Sequence, residues 1–320
     1  MMILQFGNKK IKLPDFFIVG AGKSGTTSLA KYLSEHPQIF IPKVKELHFF
    51  AFANEKPSYY KEHILGPVLI TDINEYCKYF DKVKQEVVLG EASVTYLYYD
   101  LVDNVIKNIN TYYGEKKQDL KIIIILRDPV ERAFSQYKTR LLQKETLPFV
   151  EACKKWEERK KNNWSIAYDY LGFSFYYNSI KKYIEAFGRD KLKIYLFEDL
   201  KEKPIELLKD IFRFLGVDEN FIPKNVGKVY NKSYSPKNIL LQKKIFLNPS
   251  IIKMLDTITP KCMKSNYKSF IDLLLDKNRR DEKMELTREV RRELLKIFKE
   301  DILKLQDLIG RDLSHWLKVD

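Results

Sequence analysis

Three short stretches of this 320-residue chain combine residue types suited to gripping anions and moving a proton. The first is Gly20-Ala21-Gly22-Lys23-Ser24-Gly25-Thr26-Thr27-Ser28, between the apolar run Phe16 to Val19 and a helical pattern at Leu29, Tyr32 and Leu33. Free backbone N–H groups and the positive end of a helix dipole make such a turn an anion site. Its glycines allow close approach, Lys23 adds a mobile cation, and Ser24, Thr26, Thr27 and Ser28 add hydroxyl donors. The bland alternative is a glycine turn leading into a helix capped by Ser24, Thr26 or Thr27. A nucleotide-triphosphatase loop requires G-x-x-x-x-G-K-[ST], and Gly22-Lys23-Ser24 meets only its end because Phe17 stands where the first glycine belongs.

The second stretch runs from Ile122-Ile123-Ile124-Ile125-Leu126 into Arg127-Asp128-Pro129, then Arg132 and Ser135. At the carboxyl end of a strand Arg127 can offer a two-pronged fork to a phosphate, and Ser135, about two helical turns on, can add a hydroxyl. An Arg–Asp pair closing the strand is the alternative. In the third, Pro42 to Phe50, the carboxylate of Glu46 lies between lysines and an aromatic cluster. Apolar walls raise a carboxyl pKa towards working pH, which suits a general base. Glu46 equally reads as an ion-pair partner of Lys43 or Lys45, and His48 as a hydrogen-bonded structural histidine.

Strands must carry the first two stretches to one edge of a sheet. The apolar runs Phe16–Gly20, Ile122–Leu126 and Ile194–Phe197 each lead into a helical pattern. Pro204 opens a helix with Leu207, Leu208, Ile211, Phe212 and Leu215, and Gly216 closes it. A long C-terminal helix carries Leu286, Val290, Leu294, Ile297, Ile302 and Leu305. This alternation predicts an α/β chain with a central, mainly parallel sheet flanked by helices, with ligands bound beyond the carboxyl ends of the strands. No repeat or Gly/Ser linker divides it, so residues 1–320 are read as one domain; the polar stretches 157–163 and 223–243 are read as lids or solvated loops.

Composition sets the remaining bounds. Hydrophobic residues make up 45 %, enough for a sizeable core. Lys and Arg exceed Asp and Glu by 57 to 43, a net +14 that favours anionic partners. Cys77, Cys153 and Cys262 show no ligand or disulfide spacing, so neither a metal site nor a disulfide framework is expected, and a reducing cytoplasm is. No signal peptide or membrane span is read from the sequence.

The order of these motifs resembles that of the PAPS-dependent sulfotransferases (PAPS is 3′-phosphoadenosine-5′-phosphosulfate), particularly the heparan sulfate branch and its bacterial relatives. The first turn resembles their 5′-phosphosulfate loop, Lys45-Glu46-Leu47-His48-Phe49-Phe50 their K-E-x-H-F-F, and Arg127-Asp128-Pro129 to Tyr137 their R-[DN]-P…R…S-x-Y. Gly90-Glu91-Ala92-Ser93-Val94-Thr95-Tyr96 resembles E-K-[ST]-P-x-Y-F, with Ala92 in place of lysine and Val94 in place of proline. Phe197-Glu198-Asp199-Leu200, Phe214-Leu215-Gly216 and Leu308 to Trp316 extend the likeness across most of the chain.

The resemblance implies a P-loop-like three-layer fold and transfer of a sulfuryl group from PAPS, without a metal, to a hydroxyl or amine of a small molecule or glycan, most readily a carbohydrate. It implies that Lys23, Ser24, Gly25, Thr26, Thr27 and Ser28 hold the 5′-phosphosulfate. Arg127 and Ser135 would then hold the 3′-phosphate, which ATP and GTP lack. Glu46 is implied as the base with His48 as runner-up, Lys23 as the stabiliser of the leaving 3′-phosphoadenosine-5′-phosphate (PAP), and Glu91, Ser93 and Tyr96 as lining for the acceptor. Relatives carry a Lys-Gly-Arg turn before the last helix; Arg279 and Arg280 are its nearest counterpart, and Tyr230 and Asn231 lie in a segment like the loop preceding it. Two other classes compete: a P-loop kinase or NTPase, which needs ATP, magnesium and a strand ending in aspartate, and a basic nucleic-acid-binding protein with steeply salt-dependent affinity. No nucleic-acid partner is expected.

Overall fold

Isoleucine and phenylalanine runs too apolar to face water on either side assemble into one buried parallel sheet. The computed structural model describes residues 2–6, 9–57, 69–141, 145–228, 230, 235–236, 279–280 and 284–319, with residues 4–6, 9, 10, 235, 236, 279 and 280 described by backbone alone. Strands β1 (Met2–Phe6) and β2 (Lys9–Leu13) form an antiparallel hairpin. The sheet consists of β3 (Phe16–Gly20), β4 (Ile39–Phe40), β5 (Val88–Ala92), β6 (Lys121–Leu126) and β7 (Leu192–Leu196). Their spatial order is β4-β5-β3-β6-β7, every pairing parallel. A short antiparallel pair, β8 (Ser235–Pro236) with β9 (Arg279–Arg280), stands apart.

The helices are α1 (Thr26–Leu33), α2 (Phe49–Phe52), α3 (Ile73–Cys77), α4 (Val102–Tyr113), α5 (Pro129–Leu141) and α6 (Phe149–Lys154). After them come α7 (Trp156–Lys161), α8 (Tyr177–Phe187), α9 (Phe197–Glu202), α10 (Pro204–Leu215) and α11 (Arg288–Ile309). Alternation along the strands divides the core in two. Phe17, Val19, Ile122, Ile124 and Leu126 pack with α2, α4, α5, α8 and α11 on one face, while Phe16, Ile18, Ile123 and Ile125 pack with α1 and α10 on the other. The result is the expected three-layer arrangement. Close packing shows at Gly90, where a Cβ would sit 2.2 Å from the ring of Phe16, so only glycine fits.

Some local expectations change. Helix α1 begins at Gly25, which is left-handed at φ 88°, and no side chain caps it; Thr26 Oγ1 instead accepts a hydrogen bond from Lys45. Residues 157–163 are largely helix α7, not a lid, because Arg159 is drawn inward to Glu145. Ile297 of α11 is exposed, and Leu295 and Phe298 take the buried stripe with Leu294, Ile302 and Leu305. Pro204 and Gly216 bound α10 as expected. Asn231 and Cys262 lie outside the described residues. Among the described residues no helix is long and apolar enough to cross a membrane, and no group of three or more His, Cys, Asp or Glu side chains could hold a metal ion.

Candidate active site

Strands β3 and β6 are neighbours at the point where the order of the sheet reverses, so the turns at their carboxyl ends meet. The Ala21 amide donates to Ile125 O at 2.7 Å, and Arg127 Nη1 to Lys23 O at 3.2 Å. The two anion-binding stretches thus form one wall of a cleft of about 1410 Å³, whose lining includes Lys23, Thr26, Glu46, His48, Arg127 and Ser135. Gly25, Thr27 and Ser28 also face it; Ser24 is buried and does not, and its hydroxyl has no partner. Of the later basic pair, the backbone of Arg279 and Arg280 pairs with Pro236 and Ser235, and their side chains lie outside the described part. The Tyr230 amide donates to Ser28 Oγ at 3.2 Å, which brings the Tyr230 segment to the loop.

Positive charge accumulates here. Lys23 Nζ donates to Thr139 Oγ1 at 2.9 Å. Burial first, then the like charges of Arg140, Arg127, Arg132 and Lys138, push the Lys23 pKa down to about 8. Arg132 is wholly buried and held by neutral acceptors: Ser174 Oγ and Gln136 Oε1 at 2.5 Å and Tyr170 O at 2.6 Å. Arg127 has one carboxylate neighbour, Glu131 at 3.2 Å, and lies over the ring of Phe197. Like charges gathered at a strand edge, at a cost to Lys23, are an arrangement suited to a polyanion.

Beside the loop stands Glu46. Its Oε1 accepts from Lys45 Nζ at 2.5 Å and its Oε2 from the Val94 amide at 2.8 Å. Burial pushes the Glu46 pKa up, but Lys45, His48 and the Val94 amide outweigh it and hold the carboxyl below its usual value. The expected rise is therefore corrected: apolar walls are present, but both oxygens already carry donors. Val94 occupies the proline position of the resembling motif, and a proline would have no N–H to give. The Nδ1 of His48 lies 2.9 Å from Thr95 Oγ1, and the His48 amide donates to Ser93 Oγ at 3.1 Å.

Glu91, Ser93 and Tyr96 do not line the cleft as expected; all three are buried beneath it, and Val94 and Thr95 face it instead. Glu91 accepts from Tyr76 OH at 3.0 Å, Tyr96 OH at 2.8 Å and the Ser93 hydroxyl. Burial raises its pKa to about 7 against those donors. This network fixes the chain that carries His48. Backbone strain clusters here too: among the described residues, apart from Asn54 and Asn163, a residue type that tolerates it, the positive-φ non-glycine residues are Lys23, Glu46 and His48.

Some contributors lie outside the expected set. Gln136, Thr139 and Arg140 follow the expected Arg132 and Ser135 at helical spacing, and a polar stripe of that period on one face of α5 is the available signal. Lys45 joins Thr26 to Glu46 with no periodic signature. Arg291, distant in sequence, binds Asp128 Oδ2 at 2.5 Å and the carbonyls of Trp316 and Lys318 at 2.9 and 2.6 Å. That places the C-terminal turn, with His315, Trp316 and Lys318, along the cleft.

Comparison with known proteins gives the family. Residues 13–306 match the family described as Sulfotransferase domain. A crystal structure of a sulfotransferase from Alicyclobacillus acidocaldarius is 31 % identical, aligns over 96 % of this chain and 100 % of its own, and superposes with a TM-score of 0.68. Membrane-associated sulfotransferase kil1 of Dictyostelium discoideum is 35 % identical across 40 % of this chain. Human heparan sulfate glucosamine 3-O-sulfotransferase 3A1 is 22 % identical across 98 %. The chain spans 23 % and 64 % of the lengths of these two relatives. With the motifs gathered at one sheet edge and the family match running from β2 into α11, the chain belongs to the sulfotransferase family.

Proposed function

We propose that the protein transfers the sulfuryl group of PAPS to a hydroxyl or amine of a carbohydrate, acting as one domain over residues 1–320. The observation that carries this reading is the bond from the Arg127 guanidinium to the Lys23 carbonyl, which joins the cationic ends of β3 and β6 in one cleft. Cations offered from two separate strand ends suit a nucleotide phosphorylated at both ends better than ATP, whose phosphates form one chain. The donor set fits PAPS: the half-buried cations Lys23 and Arg127, an uncapped helix start at Gly25, and the hydroxyls of Thr26, Thr27 and Ser28. Heparan sulfate in the name of a relative supports carbohydrate as the acceptor class.

Bound there, PAPS supplies a sulfuryl group already activated by its link to a phosphate. The amides and hydroxyls from Gly25 to Ser28 and the Lys23 ammonium hold the 5′ end; Arg127 and Ser135 hold the ribose phosphate. Lys23 recovers its full charge when an anion offsets its neighbours, which concentrates positive potential where negative charge develops. Glu46 receives the proton leaving the acceptor. Because its pKa is held low it is ionised throughout the neutral range, ready to accept a proton but weaker as a base than a raised carboxylate.

A thermal-shift comparison tests this. PAP should stabilise the protein well beyond ATP with magnesium, and radiolabelled sulfate from PAPS should appear on a glycan in an acceptor screen. Equal or greater stabilisation by ATP with magnesium would transfer the site to nucleotide-triphosphate chemistry.

A further inference from the structure

Lys45 bridges the loop after β3 and the Glu46 carboxylate beside it. Its ammonium donates at once to Thr26 Oγ1, in the first turn of α1, at 3.2 Å and to Glu46 Oε1 at 2.5 Å. The two carboxylate oxygens are held differently. Oε2 is fixed by the Val94 amide at 2.8 Å, a backbone group, whereas Oε1 is held by a flexible side chain with three donors. Glu46 itself is pinned, with φ 64° and its own amide on Ala92 O at 3.1 Å, so of the two partners Lys45 is the one free to shift. The side chains of Lys45 and Glu46 are 19 % and 21 % exposed and both line the cleft, so a ligand can reach them.

Resting on the donor assignment above, we infer that Lys45 is a shared cation: in the free protein it occupies Glu46, and an anion seated against Thr26 draws it away, leaving Oε1 open to a proton. The anion and Glu46 compete for one ammonium, so donor binding and proton acceptance are coupled. Glu46 becomes fully available only when the loop is filled. Lys45 is therefore a positioning residue, acting through Glu46 and the donor.

Competition has a thermodynamic signature that a fixed structural lysine lacks. Calorimetric titration with PAP would be run on the unaltered protein, Lys45→Gln, Glu46→Gln and the double variant. Glu46→Gln should tighten PAP about fivefold to tenfold, the scale of a partly enclosed ion pair released for another use. Lys45→Gln should weaken it by a similar factor, and in that background Glu46→Gln should no longer tighten it. Lys45→Arg, which keeps a cation at the position, should retain the tightening. Tightening by the same factor with and without the lysine overturns the coupling while leaving the donor assignment standing. Failure of the unaltered protein to bind PAP overturns both.

Discussion

Two groups of buried charge lie near one another in this molecule and are built on opposite plans. Between α5 and α7, Arg159 grips Glu145 through two bonds of 2.8 and 2.9 Å, and Tyr170 OH and the amides of Thr146 and Leu147 complete the carboxylate. Burial pushes the Glu145 pKa up, but Arg159 and the other donors hold it low. Around Lys23 cations predominate: burial and then the like charges of Arg140, Arg127, Arg132 and Lys138 drive the lysine down to about 8, although Arg127 also pairs with Glu131. The first group is complete without a ligand and serves the fold; the second carries an excess of positive charge that suits an anion. Glu46 with Lys45 is intermediate, a pair exposed enough to be divided.

Substitutions separate the three cases. The largest effect is expected at the divided pair: Glu46→Gln should lower the rate of sulfate transfer by about 10²–10⁴-fold, the range for loss of an acid–base group, without weakening nucleotide binding. A steady-state assay that returned near-normal turnover would remove Glu46 from the mechanism. At the completed pair, Glu145→Ala strands a buried guanidinium and should cost about 3–5 kcal/mol in denaturant unfolding, yet PAP affinity measured under native conditions should be unchanged. At the cationic cluster, Arg127→Ala should leave stability almost intact and weaken PAP by about tenfold to a hundredfold, the scale of charged hydrogen bonds. Adenosine 5′-phosphosulfate should lose far less; equal losses would show that Arg127 does not read the ribose phosphate.

The smallest effect is in protons. Lys23 has a folded pKa of about 8 against a usual 10.5, so between those values the unfolded chain binds more protons than the folded one. Its contribution to stability therefore rises with pH across that window. An anion that restores the lysine's charge reverses this, so PAP binding above pH 8 should take up a proton and weaken as pH rises. Calorimetry in buffers of different ionisation heat measures the uptake; none at pH 9 would mean that Lys23 does not meet the phosphate.

Elements bounded by local chemistry were legible in the sequence. Phe16 to Val19 ending in glycines, and five apolar residues ending at Arg127, located β3, β6 and the anion wall, because strand burial and turn chemistry are written in adjacent residues. The acidity of Glu46 was not legible, since one of its two governing donors is the Val94 amide, 48 positions away. The orientation of Glu91 was also hidden. Strand β5 is buried on both faces, so alternation gives no sign of which side meets the cleft. Thr139 and Arg140 were obscured for a related reason: a polar stripe on a helix reads as a solvent face until tertiary packing turns it inward.

The fastening made by Arg291 has a consequence for tailoring the chain. Its guanidinium holds Asp128, the residue beside Arg127, together with carbonyls in the C-terminal turn. A version cut after Gly310 would retain every motif by which the nucleotide pocket is recognised, yet would release that anchorage and the cleft wall formed by His315, Trp316 and Lys318. Shortened or tail-fused versions should accordingly be judged on nucleotide affinity as well as on expression and solubility.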